Sequence, residues 1–130
     1  MVLTKFHIDA LKFIINDYYD MYPELLDQIP FLEISDIEHT GVGCFYSFAL
    51  NNVAFKNINR NNNDVLCGGY TLYSDELIEG ALMMIFLREG KIETLEVMAH
   101  ESQYPITEPK NYYFKNLPVN VIDYKDKEEE

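Results

Sequence analysis

The sequence predicts an α+β fold in which an N-terminal helix pair packs on a mostly antiparallel sheet of about five strands. Apolar residues recur at helical spacing only near the N-terminus, and after residue 30 they form short runs that turn signals separate. Strands that follow one another without intervening helices do not make the βαβ units of a parallel sheet. At 130 residues the chain has the length of one domain, which we assign to residues 1–122, followed by an acidic C-terminal tail at 123–130.

The N-terminal segment carries the two predicted helices. Residues 4–20 have a broad apolar stripe, with Thr4 as the N-cap and charged residues on the opposite side. The helix ends before Pro23, because the residue that precedes a proline is driven out of helical geometry. A second, short helix then runs to Gln28.

Residues 80–100 are predicted to form the central hairpin of the sheet. Two apolar runs flank Arg88-Glu89-Gly90, and a glycine in third place suits a type I turn followed by a left-handed residue. In the first arm the side chains on both faces of the strand are apolar, which is typical of a central strand that is covered on both faces. In the second arm the alternation slips, which a bulge near Glu93-Thr94 explains. One face then carries Ile92, Leu95, Val97 and Ala99, and the other carries Glu93, Glu96, Met98 and His100.

The other strands are shorter or more polar than the hairpin. They are predicted at residues 31–39 (a polar edge strand), 44–50 and 65–73, with short apolar pieces at 112–114 and 119–122 along an edge. The asparagine-rich residues 51–64 are predicted as a loop. Gly68-Gly69 indicates a bulge or the close crossing of another segment, because no phosphate-binding glycine motif is present.

The composition is strongly acidic and limits the partners that the chain can have. Asp and Glu number 22 against 10 Lys and Arg, a net charge of −12, which repels nucleic acid and anionic membranes and favours a basic protein partner. No apolar run approaches the ~20 residues that span a bilayer, and Asp9 lies where a signal peptide is apolar. We therefore expect a cytoplasmic protein in which Cys44 and Cys67 are buried thiols.

No motif predicts catalysis, a metal site or a cofactor. No nucleophile signature surrounds Cys44 or Cys67, and the three histidines are not spaced as zinc ligands. Glu93 and Glu96 would share a strand face and suit an acid–base pair in a cleft, but the solvated side of a strand has the same pattern. We therefore expect a protein that is not an enzyme.

The grouping of the acids is the more informative feature. Three precede the hairpin and two lie on its second arm, with tyrosines nearby, and such a surface suits the capture of a basic protein site. The predicted partner-binding residues are Asp75, Glu76, Glu79, Glu93, Glu96, Tyr73 and Tyr104. An acidic surface without a dedicated partner explains the same pattern, and both interpretations remain open.

Residues 65–106 contain an ordered series of short motifs. The series is Gly68-Gly69, Gly80-Ala81 at the start of an apolar strand, Arg88-Glu89-Gly90-Lys91-Ile92, Leu95-Glu96 and Tyr104-Pro105. It resembles small bacterial immunity proteins that are encoded beside polymorphic or contact-dependent toxins. The resemblance implies a non-catalytic inhibitor that covers the active site of a toxin domain or an adjoining surface. Many such toxins are basic nucleases, but no binding residue carries over from the family.

Two other hypotheses remain. A cone-shaped α+β domain would bind a ligand or catalyse a reaction in an apolar pocket lined by Tyr46, Phe48, Met84, Phe86 and the helix face. An open pocket with inward-pointing His or carboxylate groups would favour this hypothesis, and a filled core would exclude it. The chain is either a monomer or a homodimer that pairs through an edge strand.

Overall fold

A computed structural model describes residues 1–50 and 58–115, in which two helices lie on one face of a six-stranded antiparallel sheet. In chain order the elements are α1 (Lys5–Asp17), α2 (Leu25–Gln28), a 3-10 turn (Ile29–Phe31), β1 (Leu32–His39), β2 (Gly43–Leu50), β3 (Val65–Tyr73), β4 (Ala81–Arg88), β5 (Lys91–Ala99) and β6 (Tyr113–Phe114). The strand order across the sheet is β1-β2-β5-β4-β3-β6.

The predicted α+β fold is confirmed, with one strand more than expected. The additional strand is β6, which pairs with the end of β3 at one edge, where an apolar edge piece was predicted. β1 forms the opposite edge, as predicted. The apolar piece at 119–122, the tail at 123–130 and the first half of the asparagine-rich loop lie outside the described residues. No helix in the described ranges is long and apolar enough to cross a membrane.

The predicted hairpin, formed by β4 and β5, occupies the middle of the sheet. Phe86 pairs with Thr94 and Leu87 pairs with Ile92, which leaves Glu93 as the extra residue of a bulge. The bulge predicted from the slip in alternation is therefore confirmed. It turns four apolar side chains of β5 toward the helices, Ile92, Leu95, Val97 and Ala99.

The hairpin turn differs from the predicted type. Arg88 pairs with Lys91, so the loop has only two residues, and both have positive φ (51° at Glu89 and 79° at Gly90). This is the geometry of a type I′ turn, whose twist matches that of the strands it joins. A Cβ at Gly90 would lie 2.6 Å from the carbonyl oxygen of Asn59, so only glycine fits beneath the crossing chain.

The helices pack on the face that carries the inward residues of the hairpin. Ile14 of α1 lies directly over Gly68, where a Cβ would come within 2.8 Å of the Ile14 Cγ1 atom. The strand register also shifts between Cys67 and Gly69. The glycine pair is thus both a bulge and a close crossing. The core of α1 and the sheet includes Phe6, Ala10, Leu11, Ile15, Leu66, Leu72, Met83, Ile85 and Leu95, each at most 1% exposed.

β4 is central, but helices cover only one of its faces. Its inward side chains are at most 4% exposed, whereas Leu82, Met84 and Phe86 point away from the helices and are half-buried. In the described residues both α1 and α2 lie on the inward side. The expectation of a strand covered on both faces therefore fails, because the second row of apolar side chains belongs to an open surface.

Candidate functional site

The sheet face that points away from the helices is the candidate functional site, which we call the outer face. Side chains of residues paired across antiparallel strands lie on the same face, so β2, β5, β4 and β3 align them in rows. The middle row is Phe45, Glu96, Met84 and Cys67, the row toward the hairpin turn is Ser47, Thr94, Phe86 and Val65, and the third row is Met98, Leu82 and Tyr70 beside Gly43.

The outer face is mostly apolar and accessible to solvent. Met98 is 37% exposed, Tyr70 is 42% exposed and Val65 is 48% exposed. Leu82, Met84 and Phe86 lie half-buried between them. Contiguous exposed apolar surfaces are commonly used for interaction in folded proteins, which makes the outer face the candidate site.

Glu96 places one carboxylate in the middle of this apolar surface. It lies directly opposite Phe45 on one neighbouring strand and Met84 on the other. The ion pairs among the described residues are Lys5–Asp9, His7–Glu108 and Arg88–Glu93, and Glu96 takes part in none of them. Desolvation by its neighbours raises the pKa of Glu96 above its ordinary value, so its charged form gains from an added cation.

The edge strand β1 adds further acids along one side of the outer face. Glu38 pairs with Phe45, Asp36 with Ser47 and Glu33 with Ala49, so the middle row and the row toward the hairpin turn continue onto β1. All three carboxylates are exposed. These three acids were not among the predicted partner-binding residues, although their spacing among the apolar residues of β1 was the available signal.

The seven predicted partner-binding residues do not form one patch. Asp75, Glu76 and Glu79 lie in the connection between β3 and β4, at the end of the sheet where Ala81 pairs with Ala99. Glu93 lies beside the hairpin turn, six strand residues away, which corresponds to about 20 Å at about 3.3 Å per residue. Of the seven, Glu96 alone lies in the middle of the outer face.

Several of these side chains are engaged within the chain. The Glu76 carboxylate accepts hydrogen bonds from the Ser74 hydroxyl (2.9 Å) and the Lys110 backbone N–H (3.1 Å), which lower its pKa. Asp75 accepts from the Asn111 side-chain amide at 2.7 Å. Arg88 lies 3.8 Å from Glu93.

The two tyrosines have different environments. Tyr104 is 5% exposed, and its hydroxyl lies 3.0 Å from that of Tyr46, so it is a core residue rather than a surface anchor. Tyr73 stacks on Tyr113 with ring centroids 5.6 Å apart, and the Lys115 ammonium lies 4.6 Å from the Tyr73 centroid. Leu72 and Phe114, the neighbouring pair, point toward the helices, so Tyr73 and Tyr113 lie on the side of the outer face, at its β3–β6 edge.

The predicted ligand pocket does not assemble. Tyr46 and Phe48 point toward the helices, whereas Met84 and Phe86 lie on the outer face. Open grooves in the described part of the chain include one of about 400 Å³ between α1 and β6 and one of about 200 Å³ beside the hairpin turn. Neither groove contains a His side chain. Their carboxylates are Asp9, which is paired with Lys5 and Tyr112, and Glu89 and Glu93 at the hairpin turn.

A buried histidine, His7, lies in the first turn of α1 and faces the core. His7 is 2% exposed, its Nδ1 accepts the backbone N–H of Thr4 at 3.0 Å, and Glu108 lies 3.7 Å away. Burial lowers the pKa of His7, and the opposing charge of Glu108 offsets part of that effect. With Nδ1 as acceptor the neutral ring carries its proton on Nε2, which has no hydrogen-bond partner among the described residues. This geometry caps a helix and is not that of a base facing a cleft.

The two cysteines are free thiols in different environments. Cys44 is buried and desolvation raises the pKa of its thiol, whereas Cys67 is exposed on the outer face. The expectation that both are buried is wrong for Cys67, because its parity in β3 places it opposite Met84. In residues 1–50 and 58–115 no group of three or more His, Cys, Asp and Glu side chains is arranged to hold a metal ion.

Comparisons with protein-family models, with curated proteins and with solved structures found no match to this chain. We therefore infer its function from the outer face and from the charge of the chain.

Proposed function

We propose that this protein is an acidic, non-catalytic binding protein of the immunity type, which acts in the cytoplasm and inhibits a toxin partner by direct binding. The outer face is the observation that carries the proposal. It combines exposed apolar side chains with a central carboxylate, and the exposed acids of β1 extend it along one side. Apolar side chains with a polar border are the usual composition of a specific protein–protein interface, and Glu96 adds one charged group within the apolar area.

The net charge favours a basic partner. A chain with −12 attracts cationic proteins and accelerates their association. A toxin domain that cleaves nucleic acid is itself basic, because it binds phosphates with Lys and Arg. An acidic protein that covers such a surface blocks access of the nucleic acid, and inhibition then needs no chemistry of its own.

The proteins encoded on either side of this one in its genome are the partners to test first. Each flanking protein is expressed alone and together with this protein in a bacterial host, and growth is measured. We expect one flanking protein to stop growth alone, growth to return on co-expression, and the purified pair to form a 1:1 complex by light scattering. Flanking proteins that leave growth unchanged, or a toxin that still kills in the presence of this protein, would contradict the proposal.

A further inference from the structure

We infer that the outer face binds one amphipathic segment of a partner protein, in which a Lys or Arg side chain meets Glu96 and apolar side chains surround that contact. The inference rests on the proposed function and names the chemistry of the partner at the same surface. It is carried by the dimensions of the outer face, the position of Glu96 and the charge of the chain.

The outer face has the dimensions of one helix. Neighbouring strands lie about 4.8 Å apart, so β2, β5, β4 and β3 span about 14 Å. Side chains on one face repeat every two residues, about 6.7 Å, so the three rows extend about 13 Å along the strands. A helix with its side chains is about 10–12 Å wide and covers this area.

Glu96 selects the charge of the segment. It lies in the middle row between Phe45 and Met84, and none of the ion pairs in the described ranges includes it. A segment that covers this row removes the remaining water from the carboxylate, and a buried carboxylate without a cation is strongly unfavourable. A Lys or Arg side chain in the segment removes that penalty, whereas an acidic or wholly apolar segment does not.

A second copy of this chain does not have the required chemistry. Face-to-face pairing about a twofold axis would bring Glu96 and the β1 acids of one copy against the apolar face and acids of the other. Each copy also carries −12, so the two chains repel each other. A basic amphipathic segment complements both the apolar rows and the charge, and we assign the face to such a segment.

Two synthetic peptides and the methionine methyl groups test this inference. The probe is the amphipathic helical peptide LKKLLKLLKKLLKL, and its acidic counterpart LEELLELLEELLEL is the control. In methyl NMR spectra of the protein, Met84 and Met98 report on the outer face, Met83 on the core, and Met1 and Met21 on exposed sites elsewhere. We expect the lysine peptide to shift the Met84 and Met98 signals and leave Met83 unchanged, and the glutamate peptide to shift none.

Variants then test the role of Glu96. Glu96→Gln keeps the shape of the side chain and removes its charge. We expect it to lower the affinity for the lysine peptide by about tenfold or more. Asp17→Asn is the matched control, because it removes one negative charge from the exposed C-terminal end of α1, on the opposite side of the sheet, and it should leave the affinity within about twofold. Met98→Gln changes a second, solvent-exposed position on the outer face, so it tests the inference even if the Glu96 variant does not fold. It should also lower the affinity for the lysine peptide.

Several outcomes would overturn the inference. They are equal binding of the two peptides, equal losses of affinity in Glu96→Gln and Asp17→Asn, shifts confined to Met1 or Met21, or a concentration-dependent dimer that shifts the Met84 signal without peptide. If Glu96→Gln and Met98→Gln each neutralise a flanking toxin as well as the unsubstituted protein does, the inference fails and the proposed function stands. If the lysine peptide binds through Glu96 but no flanking protein is bound, the proposed function fails alone.

Discussion

Replacing Gln28 by alanine tests how the helical segment holds the central hairpin. Gln28 is fully buried at the end of α2, its Nε2 donates to the Gly90 carbonyl at 2.9 Å, and its Oε1 accepts the Ile92 backbone N–H at 3.0 Å. These bonds join residues 62 and 64 positions apart, one within the type I′ turn and one just after it in β5. Alanine leaves one buried acceptor and one buried donor without partners.

Each buried donor or acceptor without a partner lowers the free energy of unfolding by about 1–3 kcal/mol, and a water molecule that enters the vacated space offsets part of this loss. We therefore expect Gln28→Ala to lower the free energy of unfolding by about 2–4 kcal/mol, a large share of the about 5–15 kcal/mol typical of a domain. Urea denaturation followed by circular dichroism measures the change. Gln103→Ala is the matched control at an exposed position, and equal effects of the two variants would refute the hydrogen-bonding role of Gln28.

Three further predictions concern other parts of the fold. Because burial holds the pKa of His7 below 6.5, the unfolded chain binds the proton first, and the free energy of unfolding falls as the pH drops below about 6.5. His7→Asn should flatten this part of the pH profile in thermal melts, and an unchanged slope would contradict the assignment. In the native protein a thiol reagent such as DTNB should react rapidly with Cys67 and react with Cys44 only on unfolding, whereas two fast thiols would contradict their placement. Gly68→Ala should cost about 1–3 kcal/mol in urea denaturation, because its Cβ would clash with Ile14, and an unchanged midpoint would show that α1 does not sit this close.

The central hairpin and its bulge were predictable because their signals are local. The alternation of apolar residues slips between Ile92 and Leu95, and a single extra residue restores it. The turn type was not predictable, because Gly90 lies beneath Asn59 of the preceding loop and Arg88 remains in the ladder. The alternation of apolar residues indicates which face of the sheet a side chain points to, but not which other segment of the chain packs against that position.

The residues of the candidate site, the outer face, were predicted only in part, for a similar reason. The sequence identified Glu96 as an outward-facing acid. It did not show that the row of side chains across β2, β5, β4 and β3 is left uncovered by both helices of the described residues. Tyr104 has the aromatic-proline context of a surface anchor, yet its hydroxyl bonds Tyr46, which is 58 residues away in the chain. The β1 acids join the outer face only through the register of β1 with β2. Long-range pairing decides which acids share a surface.

Oxidative footprinting of the methionines in the complex with the flanking toxin tests the binding role of the outer face most directly. Met98 and Met21 are both exposed, at 37% and 68%, but only Met98 lies on the outer face. If the outer face is the binding surface, bound toxin slows the oxidation of Met98 and leaves that of Met21 unchanged. Unaltered oxidation of Met98 in a complex that neutralises the toxin would contradict it.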